Sequence, residues 1–143
     1  MDHLAIMKKS WRLLPKILSG EKTIESRWYK NRVSPWGKIE KGEIVYFKDS
    51  GSPVTLRAEV SEVLQFSKLN PITVEKILFK YSARAGISKK DINKYYKLFK
   101  AKNYCLLVFL KNQKTVDPFE IDKSGFGLMS AWITVKDINL IKK

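Results

Sequence analysis

The chain has 143 residues, 44% hydrophobic and 12% aromatic, enough for one core without disulfide or metal staples and too apolar for a disordered chain. Its 28 Lys and Arg against 14 Asp and Glu leave a formal charge of +14 and a pI near 9.9, which calls for a polyanionic partner, nucleic acid first. A single cysteine and a single histidine exclude an intrachain disulfide and a Cys/His zinc centre, no HExxH or EF-hand pattern is present, and neither metal nor cofactor is expected.

The opening MDHLAIMKKSW carries an acid at position 2 and only a short apolar run before two lysines, the wrong layout for a signal peptide. No stretch approaches the ~20 apolar residues that span a bilayer, so a cytoplasmic protein with no membrane partner is expected. His3 to Met7 reads as a short strand. From Trp11 to Ser19, Leu13, Leu14, Ile17 and Leu18 share one helical face, Pro15 belongs in the first turn and Gly20 is the C-terminal cap. The next stretch, GEKTIESRWYKNR (Gly20 to Arg32), reads as a strand from Lys22 to Trp28, yet neither of its faces is cleanly apolar and it sets two carboxylates among four cations. Such a strand is either an edge strand or one whose face looks into a site.

A long loop from Tyr29 to Gly42, punctuated by SPWG and KGE, leads to EIVYFKD and VTLRAEVSEVLQF, which the turn residues Ser50 to Pro53 join into an antiparallel hairpin. Asn70 and Pro71 open a helix with Val74, Ile77, Leu78 and Tyr81 at helical spacing, ended near Ala85 and Gly86. Ser88 then caps a second helix whose apolar stripe is Ile92, Tyr95, Tyr96 and Phe99, with Lys90, Lys94 and Lys97 opposite. Tyr104 to Leu110 is the strongest buried strand and holds Cys105 as a structural thiol. Thr115 to Ile121, interrupted by Pro118, and Trp132 to Val135 are further strands. Residues 67–114 hold 12 cations against 2 acids, so the two-helix segment and the strand after it are the expected electrostatic footprint.

This order of elements resembles the ASCH domain family. The resemblance rests on SGEKTIESR (Ser19 to Arg27), IEKGEIVYF (Ile39 to Phe47), the AEVSEV strand (Ala58 to Val63) and NYCLLVFL (Asn103 to Leu110). It implies an α+β, PUA-like mixed β-barrel with flanking helices, one domain over residues 1–143 with a helical insert at about 71–102. It also implies a cleft between barrel and helix lined by Lys22, Glu25 and Arg27. Lys22 lies on the opposite strand parity from the other two, so the three converge only if the strand bends or begins just after Lys22. The family is associated with RNA, as binding modules and, in some members, as small hydrolases. One branch resembling it deacetylates N4-acetylcytidine with a Lys, a Thr three residues later and a Glu from a later loop. Here the residue three after Lys22 is Glu25, and Glu75 is the candidate for the later acid.

The expected function is therefore binding of RNA or a nucleotide through a basic cleft, with Glu25 on an amino group of a base and Lys22 and Arg27 on phosphate or carbonyl oxygens. Trp28, Tyr29, Lys30 and Arg32 interleave rings and cations as base stacking with nearby phosphate contacts requires, and Lys90, Lys94 and Lys97 extend the basic surface. The alternatives are a hydrolase on a modified nucleoside or RNA, with Lys22 and Glu25 as the chemical pair, and a protein-interaction module for an acidic partner. The structural alternative for Lys22, Glu25 and Arg27 is an ion-pair network. Trp132 is either core or a pocket wall, His3 is structural, and oligomeric state is not read from the sequence.

Overall fold

In the computed structural model, which describes residues 1–143, the run CLLVFL is apolar throughout because both of its faces are covered. Leu106, Val108 and Leu110 point into the main core with Ala5, Phe47, Leu56 and Ala58. Cys105, Leu107 and Phe109 alternate to the other face, against Ile24, Ile77 and Ala85. The elements are β1 (Asp2–Met7), α1 (Leu13–Ser19), β2 (Ile24–Tyr29), β3 (Ile44–Asp49), β4 (Val54–Phe66), α2 (Pro71–Tyr81), α3 (Ile92–Phe99), β5 (Tyr104–Phe119) and β6 (Trp132–Val135). One mixed sheet runs in the order β2-β5-β4-β3-β1-β6, antiparallel except for the β1–β3 pair.

Beta4 and β5 are long, and their register shifts between Val54 and Leu56, Arg57 and Glu59, and Val60 and Glu62. Each irregularity bends the pair and increases its twist. The sheet curls so far that Arg27 on β2, at one edge, reaches Met7 on β1 and Ala131 just ahead of β6, at the other. The result is a half-barrel with an open seam between β2 and the β1/β6 side, the PUA-like α+β architecture expected.

Helix starts and stops follow local chemistry. Gly20 ends α1 in the left-handed region at φ 83°, its N–H on the Ile17 carbonyl, and Pro15 lies in the first turn, where a missing N–H costs nothing. Asn70 Oδ1 accepts the Thr73 N–H at 2.9 Å and Pro71 opens α2. Two expectations are corrected. The strand expected at Thr115 to Ile121 is the continuation of β5, whose ladder with β4 runs on to Phe119, and Ile121 instead makes an isolated bridge to Lys142. Ser88 does not cap α3: its hydroxyl goes to the Asp91 carboxylate at 2.8 Å, and a 3₁₀ turn over Lys89–Asp91 precedes the helix. No helix is long and apolar enough to cross a membrane.

Candidate functional site

Beta2 begins at Ile24, just after Lys22, and that settles the parity problem. Freed from the strand, the Lys22 side chain turns under it beside Gly86, whose φ is +81° and where a β-carbon would come within 3.1 Å of Lys22 Cδ. Any side chain there would crowd Lys22 and strain the backbone, and glycine does neither. Lys22 is 1% exposed, and its Nζ donates to the carbonyls of Ile24 and Ala85, each at 2.6 Å, with Glu25 Oε1 at 3.5 Å. Burial pulls its pKa below the usual lysine range, opposed by the Glu25 charge. Two short hydrogen bonds and a nearby carboxylate thus hold the Lys22 amine in place beneath β2.

Glu25 and Arg27 follow on one face of β2. Glu25 is almost fully buried and holds Arg27 through Oε2 and Nη2 at 3.3 Å. Arg27 is the member of the Lys22–Glu25–Arg27 chain that reaches the surface, with 15% of its side chain exposed. Its guanidinium lies over the Trp132 ring at 5.1 Å, Nη1 contacts the Ala131 carbonyl at 3.4 Å, and Nε is buried with no partner. Trp132 is thus both core and wall: buried in the main cluster, it supports Arg27 and donates its indole N–H to His3 Nδ1 at 3.1 Å. His3, fully buried, has its other ring nitrogen 2.9 Å from Glu43 Oε1, and burial lowers its pKa. Its place is structural.

Two compartments open on the seam. One, of about 320 Å³, has Glu25, Ser26, Arg27 and Trp28 on its floor, with Trp11 and Phe99 among its walls. The other, of about 380 Å³, lies beyond Arg27 and is bounded by Val33, Met129, Ser130 and Trp132. A small recess of about 60 Å³ under Trp11 and Tyr95 leads toward Lys22 and Glu25. Tyr29 borders both large compartments, and burial pushes its phenol up to about 12.

The remaining sequence candidates divide. Trp28 lines the first compartment but stacks face to face on Phe99, centroids 4.6 Å apart, so that face is already occupied. Arg32 packs over Tyr104 at 5.4 Å and Lys30 is exposed, its carbonyl held by Asn103; both follow β2 past Tyr29 and neither lines a compartment. Lys90, Lys94 and Lys97 border a shallow groove that shares no residue with the cleft, whereas Tyr95 and Phe99 of the same helix face it. Glu75 is exposed on α2 and lines none of these spaces, which corrects the suggestion that it supplies a later acid. Trp11, Phe99, Met129 and Ala131 carry no site signal in the sequence. Trp11 reads as a helix lead-in, Phe99 as part of an apolar stripe, and residues 123–131 carry no motif. No three His, Cys, Asp or Glu side chains come together as a metal site.

No family model and no curated protein matches the chain. Among solved structures, the ASCH protein of Zymomonas mobilis superimposes with a TM-score of 0.67 at 15% identity, over 94% of this chain and 87% of that one. A single-residue variant of that protein gives 0.69 at 14% identity, over 97% and 93%. A hypothetical protein of known crystal structure gives 0.50 at 16% identity, over 81% of this chain and all of its own. At such identities the likeness is one of fold, and it is the ASCH, PUA-like fold that this chain adopts.

Proposed function

We propose that the protein binds single-stranded RNA or a nucleotide in the seam of its half-barrel, with Arg27 as the anionic anchor. The observation that carries this reading is the setting of Arg27. It is the exposed end of a chain of two cations and one carboxylate, so positive charge is left over at the surface. It lies over the Trp132 ring and stands between two compartments with aromatic side chains in their walls. A cation presented among π-faces is the arrangement that single strands need, phosphate to the cation and bases to the rings. Lys22 supports this from below by fixing Glu25. Glu25 fixes Arg27 and reaches the floor of the first compartment, where a carboxylate oxygen accepts an exocyclic amino group of a base. Lys8, above Trp11 at 5.5 Å, adds charge to the first compartment, and the exposed Lys30 and Arg32 add it beyond the end of β2. A Thr-centred deacetylation has no hydroxyl at the third position after Lys22, and the Thr23 hydroxyl faces Arg84.

The test is a fluorescence-anisotropy titration of a labelled RNA 12-mer. Three phosphate contacts on a single strand lower affinity about 20-fold between about 50 and 200 mM salt. Binding of the 12-mer that is absent, or that does not respond to salt, refutes the reading.

A further inference from the structure

The cleft is divided at one residue. Arg27, Tyr29 and Ala131 belong to both compartments, with the guanidinium at the boundary. Each compartment is near the lower end of the range for small-molecule sites, about 300–1,000 Å³, so one nucleoside fills one of them and leaves the other to water. The main chain of β2 adds a second feature. In the β2–β5 register Glu25 faces Val108 and Arg27 faces Leu106, and the Leu110 N–H bond to the Thr23 carbonyl sets the phase. Residues of that parity exchange main-chain bonds with β5, and those between them turn their N–H and C=O away. Ser26 therefore directs an unpaired donor and an unpaired acceptor toward the seam, and it lines the first compartment. A donor and an acceptor side by side complement the edge of a nucleobase, which offers the same two functions.

We infer that the seam holds a dinucleotide step of single-stranded RNA. One base sits in the Trp11/Phe99 compartment with its edge on the Ser26 main chain, its neighbour sits in the Trp132/Met129 compartment, and the linking phosphodiester lies at Arg27. This deepens, and rests on, the RNA-binding reading above. Charge alone makes the opposite forecast: a mononucleotide carries a doubly charged phosphate, a dinucleoside monophosphate a single charge, and a plain anion site favours the former.

The experiment titrates the protein, by tryptophan emission and calorimetry at low salt, with 5′-mononucleotides, dinucleoside monophosphates and hexanucleotides of each of the four RNA bases. For the preferred base the dinucleoside monophosphate binds about 10- to 100-fold tighter than the mononucleotide, burial of one further base in the second compartment accounting for the gain, and the hexanucleotide adds only a few-fold. Met129 is 94% exposed, so Met129→Asp leaves the fold intact and brings the dinucleotide down to the mononucleotide level. Equal affinities for mononucleotide and dinucleotide, with the hexanucleotide still bound, overturn the two-compartment inference and leave RNA binding standing. A Met129→Asp protein that keeps the full dinucleotide preference overturns it as well. A hexanucleotide that fails to bind removes both readings together.

Discussion

Replacing Lys22 by Met keeps the aliphatic stem beside Gly86 and deletes only the ammonium. Three acceptors then lose their donor: the Ile24 and Ala85 carbonyls, each at 2.6 Å, and Glu25 Oε1 at 3.5 Å. The two carbonyls cost about 1 kcal/mol each when left unmet. The larger effect is on Glu25, which stays 3% exposed with Arg27 as its remaining cation. Removing one partner of a buried pair costs about 3–5 kcal/mol, whereas removing both is often close to neutral. With an unfolding entropy of about 2 cal/mol/K per residue, 1 kcal/mol corresponds to about 3 °C in Tm at this length. With the two carbonyls the loss comes to about 5–7 kcal/mol, so Lys22→Met is expected to melt about 15–20 °C below the parent. Adding Glu25→Leu should return a good part of that loss, giving a coupling of about 1–3 kcal/mol in a double-mutant cycle read by urea or thermal unfolding. A single-mutant loss below about 1 kcal/mol, or a double mutant equal to the sum of the singles, refutes the buried-network account.

Arg27→Ala, at the exposed end of the same chain, should cost only about 1–2 kcal/mol of stability while weakening the RNA 12-mer at least about tenfold. Val108→Asp buries an unpaired charge at a fully buried position and should leave no cooperative melt; an Arg27→Ala melt as damaged as that would make Arg27 structural. Acid should destabilise the protein in two steps. His3 is held neutral by burial, so the unfolded chain takes up a proton first and stability falls as pH drops below about 6.5. At Glu43 the upward push of burial is outweighed by bonds from His3, the Glu40 N–H and the terminal amine, so its contribution is lost as pH falls further through the carboxylate range. His3→Gln should flatten the first step in a series of urea melts, and an unchanged profile contradicts the assignment. Burial raises the Cys105 thiol far above its ordinary range, so iodoacetamide should label it only in denaturant. N4-acetylcytidine should show no deacetylation by chromatography at neutral pH, and turnover abolished by Lys22→Ala would make the protein an amidohydrolase.

Local chemistry made most elements legible. Asn70–Pro71, Gly20 and the unbroken CLLVFL run act within a few residues of themselves, and α2, α1 and the buried part of β5 stand where they point. Beta5 was harder to read past Leu110, because Asp117 and Pro118 are signs of a break, and only the ladder to β4 carries the strand through them. The site was legible where it is local and hidden where it is not. Glu25 and Arg27 share a face by simple alternation. The other walls come from Trp11, Phe99 and residues 129–132, distant in sequence and gathered only because bulged strands curl the sheet. Lys22 misled in a different way. A lysine in a charged motif reads as a group facing its ligand, since lysine is almost never fully buried unless paired, and its partners here include two main-chain carbonyls that no sequence pattern announces.

The charge on β2 follows from where the strand lies. A half-barrel that does not close leaves β2 as an edge, and an apolar edge strand with free N–H and C=O groups invites another strand to pair with it. Closing the seam would remove that hazard, and with it the cleft. Inward-pointing charge is the other solution, and Glu25 and Arg27 supply it, but such charge is tolerable only if it is paired where it is buried. Lys22 pairs it from beneath, and Gly86 makes room for Lys22. The buried cation, the carboxylate above it and the arginine at the surface thus form one chain of paired charge along the open edge and leave a fixed positive group in the opening. An edge built this way has two alternatives, a neighbouring strand or a ligand, and neutralising it should favour the strand. Glu25→Leu combined with Arg27→Leu is accordingly expected to shift the protein from its native size to larger species in light scattering at raised concentration. A double variant that stays at the parent's size would mean that the charges on β2 do not guard the edge.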